Sequence, residues 1–552
     1  MTRLTSTILC IGLSTAACQG ESLNPSAGEG PPDWVTAELS NAQDWFIPFA
    51  GGNKVTPARL GYAINGNVLE GPEIDADAEL IVQTGARALR TALFWRKLEV
   101  GSRGDYARLD ALLDRYLEIG ERYGFSYVLQ MNPGSSNPLY VAAEDNDPKV
   151  ACGADGSTSD RLEGLSPHTT AEFAGYADFV AHAAVHLAER QIVDRVGRSV
   201  NIAFEIGNEP NGGFYNVCRT REKDHLANAE QYKLLARAAA RAVRAAAHDD
   251  PDVQRRARSA PLYLTGLAAG AWQWRVGRPH KAAEFLERIL SFDFPGPAGL
   301  QNLEDVYDGL TFHPYDTFTD GPDNPTGLEV GVVDIVTAVA AIVDHPDHVA
   351  RTDSRKRLAL GVTEYGYQVH DVCDRAPEDG GNTVACVLRD FDRAKYLQRG
   401  LTHMLALRRV AFVTLFTWRR PDELGQGFGM VVNSTLEPTD AWRAVQHYAR
   451  QLTGTNIGAR IDLGDPFVFV FPFRRDAPEA MSGFVAWHAR DARVDVAIPT
   501  SGEGGEYCIS KLARRRGDVQ RVSTSPAGTL DVSLNSLPSF IITTNDGACD
   551  AP

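Results

Sequence analysis

Eight times between Arg59 and Leu452, a short apolar run gives way to a longer segment of different periodicity. The apolar runs are Arg59–Ile64, Arg87–Trp95, Phe125–Asn132, Val200–Gly207, Leu262–Leu267, Val306–His313, Leu358–Glu364 and Ala411–Trp418. Runs this short and this rich in Val, Ile, Leu and Phe read as buried strands. Between and after them lie helical patterns, among them Tyr106–Tyr123, Thr170–Arg190, Ala229–Ala247, Lys281–Ser291, Val332–Val343, Asp390–Arg408 and Thr439–Leu452. In the first of these, Leu109, Leu112, Leu113 and Tyr116 fall on one stripe. In the second, Thr169 or Thr170 with Glu172 nearby reads as an N-terminal cap. Strands joined by crossover helices form a parallel sheet, and eight such units over about 400 residues fit a closed (β/α)8 barrel. The rival, an open doubly wound sheet, calls for a glycine-rich phosphate turn after its first strand. No strand–helix junction here reads GxGxxG, and Gly425–Gly429 (GQGFG) opens no helix, so it reads as loop.

From Gly454 the pattern changes. Phe467–Phe473, Gly483–Arg490, Arg493–Ile498, Glu506–Ser510, Thr529–Leu534 and Ser539–Thr543 are short strand-like runs separated by Gly, Asp, Ser and Pro. They predict a small antiparallel β-sandwich. The expected organisation is a leader over 1–18, a tether over 19–54, the barrel over 55–453 and the β-sandwich over 454–552.

The N-terminus reads as a targeting segment. Arg3 precedes the apolar stretch Leu4–Leu13, and small residues lead to Cys18. This is a signal-peptide pattern, too short to span a bilayer. The residues before Cys18 resemble a lipobox with Thr15 in place of Leu, so lipidation at Cys18 and plain secretion both stand. Beyond the leader six cysteines remain, an even number that suits disulfides in an exported chain. Proximity pairs Cys373 with Cys386 and Cys508 with Cys549, leaving Cys152 with Cys218, one of fifteen pairings. No CxxC pair exists, so neither zinc nor any other metal or cofactor is expected. A formal net charge of -16 repels nucleic acid and anionic lipid. The expected partner is a carbohydrate, and the expected state a monomer.

Barrel active sites lie at the C-terminal ends of the strands. The fourth run ends in FEIGNEPN, placing Asn208 and Glu209 at the rim, and the seventh ends in LGVTEYGY, placing Glu364 there. The sixth gives His313 and Tyr315, the second Arg90 and Trp95, the third Gln130 and Asn132, and the eighth Trp418. Strands four and seven lie nearly opposite each other. Two carboxylates facing across one cleft are what glycoside cleavage needs: one attacks the anomeric carbon and the other protonates the leaving oxygen. In such a cleft Arg90 and Tyr315 are candidates to hold Glu364, Asn208 to bond a sugar hydroxyl, and Trp95 and Trp418 to offer flat apolar faces.

The motifs Gly207-Asn208-Glu209-Pro210, His313-Pro314-Tyr315 and Thr363-Glu364-Tyr365-Gly366 resemble the large clan of retaining glycosidases with catalytic glutamates on strands four and seven. The resemblance covers about Arg59 to Leu452 and extends to β-xylosidase/α-iduronidase-like, cellulase-like and heparanase-like families. It implies a (β/α)8 fold, Glu209 as acid/base and Glu364 as nucleophile. The C-terminal β domain is similar to the accessory sandwich of several of these families. Where several of them place a His at the end of strand three, this chain has Gln130 and Asn132.

Other readings stay open. Glu209 and Glu364 could be rim salt-bridge partners in a non-catalytic carbohydrate-binding barrel, or serve a transglycosylase. Glu205 shares a strand face with Glu209 and reads as a buried carboxylate paired with an arginine such as Arg90, which would compete with an Arg90–Glu364 pair. His313 reads as an orienting group, and Trp95 and Trp418 equally as packing. Arg419 and Arg420 are candidates to read a uronate or are surface charges. His345 and His348 fall on the face away from the active end.

Overall fold

The computed structural model describes residues 55–64, 74–134, 137–140, 167, 169–211, 224–269, 281–290, 307–315, 323, 331–345, 358–367, 390–407, 409–420, 428–432, 434–475, 482–490, 492–500, 505–511 and 519–544. Eight parallel strands close into a barrel in sequence order: β1 (Leu60–Ile64), β2 (Ala88–Phe94), β3 (Ser126–Asn132), β4 (Ile202–Ile206), β5 (Leu262–Ala268), β6 (Gly309–His313), β7 (Ala359–Tyr365) and β8 (Val410–Phe416). Closure is by β1 against β8, with Ala63 opposite Phe416. The expected (β/α)8 barrel is the fold.

Around it run α1 (Ile74–Gln83), α2 (Trp95–Leu98), α3 (Ala107–Tyr123), α4 (Thr170–Ile192), α5 (Asp224–Arg244), α6 (Pro251–Arg258), α7 (Lys281–Leu290), α8 (Val332–Val343), α9 (Asp390–Ala406) and α10 (Asp440–Leu452). Helix α4 starts on a capping box: the Thr169 hydroxyl accepts from Glu172 N, and the Glu172 carboxylate accepts from Thr169 N. Helix α3 stops where Gly124 turns left-handed at φ 71°. Helices α1, α2 and α6 lie outside the expected helical segments.

The barrel interior changes character along its axis. Val128, Ala203, Tyr263 and Phe412 pack together as an apolar plug. Two residues further along three of the same strands, on the same inward face, stand Gln130, Glu205 and Thr414. The plug is apolar and the next level is polar.

Beyond the barrel strands, β9 (Arg419–Arg420) pairs with β10 (Val431–Val432), and after α10 come β11 (Thr455–Ile457), β12 (Val468–Arg475), β13 (Ser482–His488), β14 (Val494–Pro499), β15 (Glu506–Lys511), β16 (Gln520–Ser523), β17 (Thr529–Leu534) and β18 (Ser539–Thr543). Six form an antiparallel sheet in the order β11-β12-β13-β18-β15-β16, and β14 pairs with β17. A core of Val470, Phe484, Ile498, Leu530, Val532 and Ile541 lies between the two. Of the cysteines beyond the leader, Cys508 on β15 is buried. The other five, His348 and the first 54 residues lie outside the described residues.

The sheet's other face belongs to the barrel. Phe469, Phe471, Phe473, Val485, Trp487 and Phe540 join the same buried cluster as the barrel's helical layer. His403 of α9 meets Phe469, Phe471 and Trp487 edge-on, with centroids 5.3–5.5 Å apart. At its centre Asp323 accepts from Arg399 at 2.7 Å and from Trp487 Nε1 at 3.1 Å, with His403 Nε2 at 2.9 Å. Burial works against the charged Asp323 carboxyl, but Arg399 and His403 beside it hold it below the usual carboxylate range.

His447 of α10 sits at the same boundary, 2.7 Å from Ser510 Oγ and edge-on to Phe540 at 4.8 Å. Burial, helped by Arg450, pushes its imidazole down to about 4. Between about pH 6.5 and 4 the unfolded chain therefore binds this proton more readily than the folded one. Stability is expected to fall over that window by ~2–3 kcal/mol on this account. His447→Gln is expected to remove that share of the slope, as measured by urea unfolding at pH 7 and pH 4.5.

Candidate active site

The rim after β4 is built by a sharp double turn. Gly207 has φ 85° and Glu209 φ 42°, the latter a left-handed conformation that non-glycine residues seldom adopt. Neighbouring strands fix it: Gly207 N donates to Met131 O at 2.9 Å and Glu209 N to Gly266 O at 2.7 Å. Asn211 clamps the next strand, donating to Ala268 O at 2.8 Å and accepting from Ala268 N at 2.9 Å. The turn throws the Glu209 side chain into the barrel mouth, a strained placement of the kind that collects at functional sites.

Across the mouth, β7 solves a different problem. Consecutive strand residues face opposite sides. Yet Thr363 donates inward to Glu205 Oε1 at 2.7 Å while Glu364 also faces Arg90, in the mouth. The β7–β8 register shifts between Val362 and Tyr365, and this irregularity brings both side chains to the same side.

Arg90 ties the two halves together. Its Nε donates to Glu205 Oε2 at 2.6 Å, one terminal nitrogen to Glu364 Oε1 at 2.5 Å, and the other to Asn208 Oδ1 at 2.7 Å. The competition expected between Glu205 and Glu364 is thus resolved by sharing one fork. Burial opposes the guanidinium charge, and the carboxylates of Glu205 and Glu364 more than reverse this, so Arg90 stays protonated. Glu205 is fully buried and also accepts from Thr311 at 2.5 Å. Its bonds go to Arg90, Thr311 and Thr363, so it is a structural carboxylate beneath the site.

Both Glu364 oxygens accept hydrogen bonds, the second from the Tyr315 hydroxyl at 3.0 Å. Burial, and then the charges of Glu364 and Glu209, push the Tyr315 phenol well up, so it remains a donor. Glu209 has a different neighbour: His313 Nδ1 lies 2.7 Å from its Oε1. Among the described residues Glu209 has no arginine or lysine ion-pair partner. The two glutamates remain partly open, with side chains 16% and 13% exposed.

Donor atoms of Glu209, His313 and Glu364 all lie within 4.8 Å of one another, a spacing that a metal ion could also use. The guanidinium already on Glu364 sets a fixed positive charge against any cation there. Behind His313 stands Gly266, where a Cβ would come 2.6 Å from the imidazole Nε2 and 3.1 Å from Glu205 Oε1. Gly266→Ala is therefore expected to swing His313 off Glu209. A loss of about 10–100-fold in turnover is expected, with a drop in Tm from ~1–3 kcal/mol of overpacking.

The tryptophans are corrections. Arg90, Ala92 and Phe94 share the inward face of β2, but the strand ends at Phe94 and Trp95 opens α2, outside that inward-facing set. It is fully buried, donates from Nε1 to Glu99 at 2.5 Å and packs on Tyr140 and Tyr176. Trp418 is also fully buried: β8 ends at Phe416, and the indole lies beyond it against Tyr62 at 5.0 Å, bonded to Asp77. Neither ring can be a sugar platform. Arg419 bonds to buried Asp77 through Nε at 3.0 Å and is not placed to read a carboxylate substrate. Asn132 is at the rim, its Oδ1 accepting from Gly134 N at 2.8 Å. Gln130 is buried below it. His345 is exposed after α8.

The aromatic surface at the mouth is one the sequence reading passed over. Phe94 and Phe416 end their strands half-buried on the inward faces. Phe428 stacks edge-on between Phe416 at 5.5 Å and Tyr315 at 6.2 Å. Parity counted from Arg90 and Phe412 would have found the first two.

No protein-family model and no curated protein sequence matches the chain. Solved structures do. A family 39 glycoside hydrolase from the gut symbiont Bacteroides cellulosilyticus WH2 superposes with a TM-score of 0.59 at 17% identity, over 89% of this chain and 81% of its own. CelM2, a bifunctional glucanase-xylanase protein from a metagenome library, gives 0.51 at 11% identity, over 89% and 97%. A GH30 endoxylanase from Clostridium papyrosolvens C71 gives 0.50 at 9%, over 90% and 98%. The likeness is one of fold: this chain shares the (β/α)8 architecture of these structures.

Proposed function

We propose that this chain is an exported retaining glycoside hydrolase acting on O-glycosyl bonds of oligo- or polysaccharides. The observation that carries the reading is the close approach of two differently supported carboxylates, Glu209 and Glu364, which bring one oxygen of each within 4.8 Å across one open mouth. Retaining enzymes keep such groups ~5–5.5 Å apart, whereas inverting ones leave ~6.5–9.5 Å for a water. Glu364, held by Arg90 and Tyr315, is the nucleophile: its oxygen bonds to the anomeric carbon as the glycosidic C–O bond breaks. Glu209, oriented by His313, gives its proton to the leaving oxygen. Glu209 then takes a proton from water, which attacks the anomeric carbon and releases Glu364. With its Oδ1 held by Arg90, Asn208 has its amide nitrogen left to donate to the neighbouring sugar hydroxyl. Phe94, Phe416 and Phe428 supply apolar faces for sugar C–H groups. Export is favoured by the leader-like first 18 residues and by the disulfide-bonded Cys508.

The test is a panel of aryl β-glycosides and polysaccharides, with the anomeric configuration of released sugar read by NMR before mutarotation. Retention by the wild type and silence of Glu364→Ala are expected. Equal activity in Glu364→Ala, or an inverted first product, would sink the assignment.

A further inference from the structure

On the outer wall of the barrel, two helices present a second cluster of ligating side chains. His182 and His186 are one turn apart on α4, so they share a face. Asp110 and Asp114 are one turn apart on α3 and face them. His182 Nε2 lies 2.7 Å from Asp110 Oδ1, and His186 Nδ1 lies 3.5 Å from the same oxygen. All three ligating groups fall within 4.8 Å of one another. The two imidazoles lie nearly parallel, with centroids 6.1 Å apart.

We propose that Asp110, His182 and His186 form a zinc-class divalent cation site that clips α3 to α4. Tetrahedral zinc with bonds of ~2.0 Å needs its ligand atoms about 3.3 Å apart, and the observed 2.7 and 3.5 Å bracket that edge. Small rotamer adjustments centre an ion among the three.

What lies behind the cluster distinguishes it from a chance surface contact. The other nitrogen of His186, Nε2, lies 2.9 Å from Asp114 Oδ1, and Arg190 holds that same oxygen at 2.7 Å. A carboxylate accepting the Nε2 proton fixes the tautomer that leaves the Nδ1 lone pair for a metal, the carboxylate–histidine–metal arrangement of built sites. On the other ligand, the Tyr106 ring lies against His182 at 4.3 Å and limits its rotation. The three ligands are about 16–34% exposed, so the fourth coordination position opens to water.

The probe is zinc chloride, titrated calorimetrically into the chelator-stripped full chain. One equivalent is expected to bind the wild type and, equally, Glu364→Gln, which breaks the other three-ligand cluster at the mouth. His182→Ala and His186→Ala are expected to weaken binding by about a hundredfold or more, and Asp114→Asn by about tenfold through loss of the supporting carboxylate. His182→Gln keeps a donor toward Asp110 and replaces His182→Ala should that variant misfold. The site is refuted if the wild type binds no zinc up to millimolar concentration, if His182 and His186 variants bind as tightly as wild type, or if Glu364→Gln abolishes binding.

Discussion

Glu209→Gln will lower kcat/KM toward unactivated oligosaccharides by about 10²–10⁴-fold, while substrates with a good leaving group such as dinitrophenolate lose far less in glycosyl-enzyme formation. The split follows from the geometry. The amide keeps the shape of the acid and the contact with His313, but it has no proton to give the departing oxygen. A leaving group that departs without protonation does not need one. Turnover of activated substrates then stalls at the second step, where Glu209 must activate water, and a burst of released phenol should precede the slow phase. Stopped-flow absorbance reads both phases. If aryl and alkyl glycosides lose activity equally, Glu209 is not the acid. Glu364→Ala gives the complementary result, because no glycosyl-enzyme forms and no burst is seen with any leaving group.

Arg90→Met will cost about 3–5 kcal/mol of stability and most of the activity, and the two losses can be separated. The stability loss comes from Glu205, which is fully buried and left with only hydroxyl donors from Thr311 and Thr363. The activity loss comes from Glu364 and Asn208, which lose the fork that sets their positions. Adding Glu205→Leu removes the stranded charge. In the double variant, urea denaturation should recover most of the lost stability while kcat/KM stays low. Recovery of both together would mean that Arg90 acts on catalysis only through the fold.

What the sequence disclosed follows local rules. Eight apolar runs locate the strands because strands buried on both faces read as near-continuous apolar runs. Glu209 and Glu364 were found because they end the fourth and seventh runs. What it hid depends on contacts distant in the chain. Trp95 and Trp418 look like rim residues, but β2 ends before the first, which opens α2, and the end of β8 carries the second away. Helix α1 carries a buried acid, Asp77, whose burial makes sense only once Trp418 and Arg419 lie against it. No periodicity announces the register shift in β7, and Gly266 is one glycine among 50 until His313 is seen behind it. Sharing of Arg90 between two glutamates likewise appears only once β2, β4 and β7 come together.

The sheet after α10 donates Phe469, Phe471, Trp487 and Phe540 to the same buried cluster as the barrel's helices, around Asp323 and His403. Cutting the sheet away would open an aromatic wound along α9 and α10 and leave the Asp323–Arg399 pair without its roof, so a barrel ending near residue 453 should aggregate instead of folding as an independent unit. Selection acting on the sheet therefore acts on the barrel as well, and the two have to change together.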